Sequence, residues 1–274
     1  MTPAVRLAVV ALFSLLPGPA IAQVSIGPVI VFLNDAARIG DFKVGSNSDQ
    51  PQEVTIDFRF GYMRSDTLGN LAMEYADSAA AAGHSMAAWV SAFPRRFVLR
   101  PGTEQTVRIM ANPPRDLAPG SYWCRLITAS TPQSVPIDSI TAGVSTQITI
   151  RLEQVTTVIL RRGEAVGGVA IGELTLHRDS AGVHLLIPLS VRDGSAFLGT
   201  STVRFRDERG AVVHEVRTPL AVYFRQVQRV TLPTAIGRGT YRAEVSIQAG
   251  RPDVPIWVPR APAPVTAALQ FTQQ

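Results

Sequence analysis

Cysteine and lysine are almost missing from this chain: Cys124 is the one cysteine and Lys43 the one lysine. A single thiol excludes an internal disulfide, so in an oxidising compartment the apolar core alone must hold the fold. Flanked by Trp123 and Arg125 in a strand-like run, Cys124 reads as a small buried apolar residue rather than a reactive thiol. Arginine carries nearly every basic role, and the arginines are scattered. The formal net charge of +5 therefore contains no basic run dense enough for a nucleic-acid partner.

Catalytic and metal-binding patterns are equally scarce. Gly83–Ala87 matches the spacing of a nucleophile elbow, but it sits in an Ala-rich connection without the strand-to-helix setting such an elbow needs. Gly167, Gly168 and Gly172 have neither the spacing nor the βαβ context of a dinucleotide fingerprint. His177 and His184 flank one hairpin turn, Asp179–Gly182, with no third ligand at metal-site spacing. The expectation is a protein that is no enzyme and needs no metal and no cofactor.

Long apolar runs are absent after the first residues. Arg6, the apolar run Leu7–Leu16, the break at Pro17-Gly18-Pro19 and the small-x-small site Ala20-Ile21-Ala22 together read as a signal peptide over 1–22. Leu7–Leu16 is too short for a permanent anchor, and no later stretch is long enough to span a bilayer. An exported chain beginning at Gln23 is expected.

What is present is strand. Glu53–Tyr62 alternates strictly, with Val54, Ile56, Phe58 and Phe60 on one face and Thr55, Asp57 and Arg59 on the other. Val24–Leu33 is a long β-branched run broken by Gly27-Pro28, which suits an edge strand. Leu68–Ala88 is the exception, where Ala79–Ala82 favours a short helix or a loose connection. Twice, an apolar run and a Gly turn are followed by a tyrosine that opens a strand, at Tyr122 and at Tyr241. This is the pattern of a tyrosine corner, and two corners imply two immunoglobulin-like sandwiches of roughly 100 residues each. The fold class is all-β: a first sandwich over 23–161, a second over 162–259, and a Pro/Ala-rich tail over 260–274 expected to be disordered.

Within the first sandwich, Pro94–Ile109 (PRRFVLRPGTEQTVRI), followed by Leu117 to Gly120 and Tyr122 to Leu126, resembles the PapD-like periplasmic pilus chaperones. The shared pattern is P-x-x-F-x-L-x-P-G, then Q-x-V-R, then a P…L-x-x-G-x-Y stretch. The resemblance implies a periplasmic protein that caps an exported β-rich pilus subunit by β-strand donation, with an outer-membrane usher as a further partner. It also implies the donated residues. Ile148, Ile150 and Leu152 alternate in Thr146–Leu160 and stand where the family's donor residues stand. Buried in a client groove, each would contribute about 1.5–3 kcal/mol. The family anchors the client's terminal carboxylate with an arginine on the first strand and a lysine on the donor strand. Here those positions hold Pro28 and Thr157, and Lys43 lies elsewhere. The nearest arginines to the expected cleft are Arg161 and Arg162, whose guanidinium groups are suited to bidentate carboxylate binding. The absent lysine leaves an alternative, a sandwich module with a structural or adhesive role in the cell envelope.

Overall fold

The computed structural model describes residues 23–133, 150–163, 167–180, 182–233, 236–254 and 263–273. The expected leader lies outside them, and among them no helix is long and apolar enough to cross a membrane. Apart from one short helix, the regular elements of the described chain are all strands, arranged as two sandwiches joined near Gly163.

The first sandwich contains β1 (Val24–Gly27), β2 (Ile30–Asn34), β3 (Ile39–Ser46), β4 (Gln52–Arg59), β5 (Tyr62–Ser65), β6 (Leu71–Glu74), the helix α1 (Ser78–His84), β7 (Val90–Phe93), β8 (Arg96–Leu99), β9 (Glu104–Ala111), β10 (Gly120–Pro132) and β11 (Leu152–Arg162). One sheet has the order β1-β3-β9-β7, the other β2-β11-β10-β4-β8. Pro28 has no N–H to give a ladder, so the opening run splits there. β1 pairs antiparallel with β3, and β2 crosses to pair parallel with β11 in the other sheet. Inward alternation fills the space between, with Phe42, Val44, Val54, Ile56, Val158 and Leu160 fully buried. Phe60 leaves the expected row, because β4 ends at Arg59 and Phe60 packs in a separate cluster with Trp123 and Ile159.

The Ala-rich stretch does form a short helix. Asp77 caps α1 by accepting the Ala80 N–H at 2.9 Å, and Ser85 follows it. The β5–β6 hairpin just before was not expected from the sequence, since neither strand alternates. Its turn is made by Asp66, whose carboxylate accepts the N–H groups of Leu68 and Asn70, both at 2.9 Å.

The second sandwich contains β12 (Gly168–Ile171), β13 (Thr175–Asp179), β14 (Gly182–Arg192), β15 (Phe197–Arg206), β16 (Val212–Val222), β17 (Arg225–Thr231), β18 (Gly239–Ala249) and β19 (Val265–Gln273). β12 and β13 pair with one edge of β14 and β17 with the other; the facing sheet runs β16-β15-β18-β19. Both tyrosine corners are formed: Tyr122 donates to the Ala118 carbonyl at 3.0 Å and Tyr241 to the Gly237 carbonyl at 2.9 Å.

One expectation is corrected here. The tail over 260–274 is not without structure: Val265–Gln273 is β19, paired with β18 from Ile247 to Gly239. Its composition looks low in information, but Val265, Ala267, Leu269 and Phe271 alternate and close the second core.

A third cluster joins the sandwiches. Ile30, Phe60, Tyr62, Trp123 and Ile159 of the first pack against Ala196, Leu198, Tyr223 and Val254 of the second. Beside it, Val227 N–H on β17 donates to Ser65 Oγ of the β5–β6 hairpin at 2.6 Å.

Candidate strand-donor edge and interdomain cleft

β11 lies between β10 and β2, but the two neighbours do not cover equal lengths. β10 pairs with it from Leu152 to Arg162, whereas β2 begins only at Thr157. Among the described residues, no strand pairs with the second edge of Leu152–Thr156. Gln154 reaches over it to the Val24 carbonyl at 3.1 Å.

Strand parity assigns the faces. Leu152, Gln154, Thr156, Val158 and Leu160 form one row, and its last two members lie in the first core. The row does not stay apolar: Thr156 is a buried polar residue, and so are Thr128 and Ser130, which stand opposite Gln154 and Leu152 on β10. The first core therefore ends near Thr156, and Leu152 and Ile150 continue the row beyond it, half-buried and 67% exposed respectively. Ile148 lies outside the described residues. The strand also starts later than alternation suggested. Extending the β10 register places Pro132 opposite Ile150, and a proline has no N–H with which to bond there.

Arg161 and Arg162 do not share a face of β11. As consecutive strand residues they face opposite ways. Arg162 donates to the carbonyls of Pro114 (3.4 Å) and Arg115 (2.9 Å), tying the loop before β10 to β11. Arg161 lies on the same face of β11 as Thr157 and Ile159, with its guanidinium 5.3 Å from the Phe32 ring centre, and burial pulls its pKa down.

A third arginine, not singled out from the sequence, occupies the cleft. Arg125 on β10 stands directly opposite Thr157, the position where the lysine was expected. Its side chain is buried. Nε donates to the Gly61 carbonyl at 3.0 Å, and Nη1 bonds to Thr157 Oγ1. The guanidinium lies 4.8 Å from the ring centre of Tyr223, which comes from the second sandwich. Among the described residues, Nη2 has no hydrogen-bond partner and no carboxylate pairs with Arg125. The available signal was a single charge inside the otherwise uncharged run Tyr122–Ser130, on the same strand face as Trp123 and Ile127.

The remaining candidates resolve simply. Cys124 is fully buried, and burial pushes its thiol pKa up, as an inert core residue requires. Ser85 of the elbow-like motif accepts the Ala87 N–H, and His84 stacks on Trp123 with ring centres 4.7 Å apart. His184 contacts Asp179 Oδ1 at 2.9 Å, and the Arg229 guanidinium sits 2.6 Å from both Asp179 Oδ2 and His184 Nε2.

No protein-family model and no curated protein matches the chain. Similar solved structures are the YadV chaperone (12% identity, 91% of this chain and 100% of that one, TM-score 0.42) and the E. coli chaperone DraB (15%, 92% and 97%, 0.40). A third is the Salmonella enterica SafA pilin in complex with the SafB chaperone, where 13% identity spans 92% of this chain and 99% of that one at a TM-score of 0.44.

Proposed function

We propose that the chain is a periplasmic chaperone that caps an exported, β-rich pilus-type subunit by lending it the edge of β11 that no described strand covers. The observation that carries this reading is the unequal cover of that strand: Leu152–Thr156 offers backbone donors and acceptors on one side, led by exposed Ile150. Such an edge is suited to pairing with a subunit that lacks a strand. A strand added parallel to β11 would run toward Thr157, where β2 begins. Its terminal carboxylate would arrive at the level of Arg125, so Arg125, with Arg161 on the same face, is the anchor in this reading. Arg162, held by two backbone carbonyls, is not.

Export through the 1–22 leader and delivery to an outer-membrane usher belong to the same proposal. The competing reading, an envelope module that donates nothing, draws support from the burial of Arg125.

The test is to co-export the protein with a pilus-type subunit and replace Ile148, Ile150 and Leu152 by serine. Strand donation requires the subunit to stop accumulating while the variant remains folded. Undiminished accumulation would transfer the case to the envelope module.

A further inference from the structure

Among the described residues, five polar groups at the domain junction are buried without a hydrogen bond: Ser121 Oγ, Trp123 Nε1, Arg125 Nη2 and Arg161 Nε on one face of β10 and β11, and Tyr223 Oη from the second sandwich. Buried polar groups are normally satisfied, and an unfilled donor weighs against the arrangement that buries it. The junction is held closed by apolar and aromatic contact. Tyr223 lies 5.0 Å from Trp123 and 6.5 Å from Tyr62, ring centre to ring centre, and covers Arg125. One contact surface thus combines strong apolar closure with a row of donors that closure leaves empty.

We propose that Tyr223 is a gate on Arg125, and that a terminal carboxylate reaches Arg125 only when the two sandwiches part at this junction. The inference rests on the strand-donation reading and adds its regulation. In the closed state the guanidinium has an aromatic face and two hydrogen-bond partners but no anion. Opening removes the aromatic cover and frees Nη2 for a carboxylate oxygen. Binding at Arg125 then selects the open state, and the apparent affinity is reduced by the fraction of molecules that are closed. Client engagement and domain opening become one equilibrium.

The experiment uses the full chain and two synthetic peptides of about twelve residues, alternating valine and threonine behind a lysine pair. They are identical except that one ends in a free carboxylate and the other in an amide. Tyr223→Leu keeps apolar volume at the junction but removes the aromatic face. It should bind the free-acid peptide about tenfold more tightly than the parent does, with amide binding unchanged. Tyr223→Phe removes only the unfilled hydroxyl and so favours closure; it should bind the free acid several-fold more weakly. Arg125→Met should abolish the difference between the two peptides. Acrylamide quenching of Trp123, read with Trp89 and Trp257 replaced by phenylalanine, should rise on adding the free acid and not the amide.

An unchanged acid-to-amide ratio in Tyr223→Leu, or a lowered one, overturns the gate. Tighter acid binding by Tyr223→Phe overturns it independently, should the leucine variant not fold. If every protein binds both peptides equally, strand donation stands and the gate falls. If neither peptide binds any of them, the donor edge itself is wrong and the gate falls with it.

Discussion

Arg125 and Thr157 face each other across the β10–β11 pair, with the guanidinium bonded to the threonine hydroxyl. The cation at this level is therefore carried by β10, and β11 supplies a neutral acceptor. Thr157→Val should cost about 1.5–3 kcal/mol, the usual loss for a hydrogen bond to a charged group. Thr157→Lys should cost more, at least about 3 kcal/mol, because it buries a second cation against the first. Denaturant unfolding of both variants checks the order. A lysine variant as stable as the parent would mean that the site is wet.

Ile150 and Leu152 separate function from stability. Ile150 is mostly exposed and belongs to no core, so Ile150→Ser should leave unfolding within about 0.5 kcal/mol of the parent while weakening client capture. Leu160→Ala, in the same row but inside the first core, should cost about 2–5 kcal/mol.

Gly69 presses on the second sandwich from the β5–β6 turn. Its φ is +81°, and a methyl there would stand 2.7 Å from Arg229 Cβ and 3.2 Å from the Val227 carbonyl. Gly69→Ala should destabilise by about 1–3 kcal/mol and loosen the domain junction. Gly102→Ala is the control, with φ +66° and open space around it, and should cost less. Thermal unfolding reads both.

The Tyr62–Asp77 bond predicts behaviour at two pH limits. The Ala80 N–H and the Tyr62 hydroxyl both hold Asp77 below its ordinary 3.8, so its contribution is present above that value and lost as pH falls through the lower, folded one. Burial, then the bond to Asp77, raises Tyr62 to about 12 from its ordinary 10.0. Its contribution is complete below 10.0 and lost as pH rises to about 12. Ultraviolet titration should show Tyr62 ionising late, and Asp77→Asn should move it earlier.

β19 offers the simplest check of the second core. Phe271→Ala should cost about 3 kcal/mol, and Gln270→Ala, on the exposed face, almost nothing.

Strict alternation identified β4, and the two tyrosine corners announced two sandwiches before any strand was paired. Local chemistry sufficed there, since strand period and turn residues act over a few neighbours. Where alternation is short or interrupted the reading failed. The β5–β6 hairpin is closed by Asp66 and seated on Arg229, and β19 hides four inward residues behind an Ala-rich composition.

The site divides the same way. The apolar residues of the proposed donor segment were legible because they repeat at strand spacing. The place where the strand begins was not, because it depends on which β10 residue falls opposite Ile150. Nor was the cation, because Arg125 and Thr157 meet only through register. Sequence determined two sandwiches and an apolar row that outruns its own core. Tertiary structure decided which arginine occupies the cleft and what covers it, since pairing across strands and burial between domains are properties of distant residues brought together.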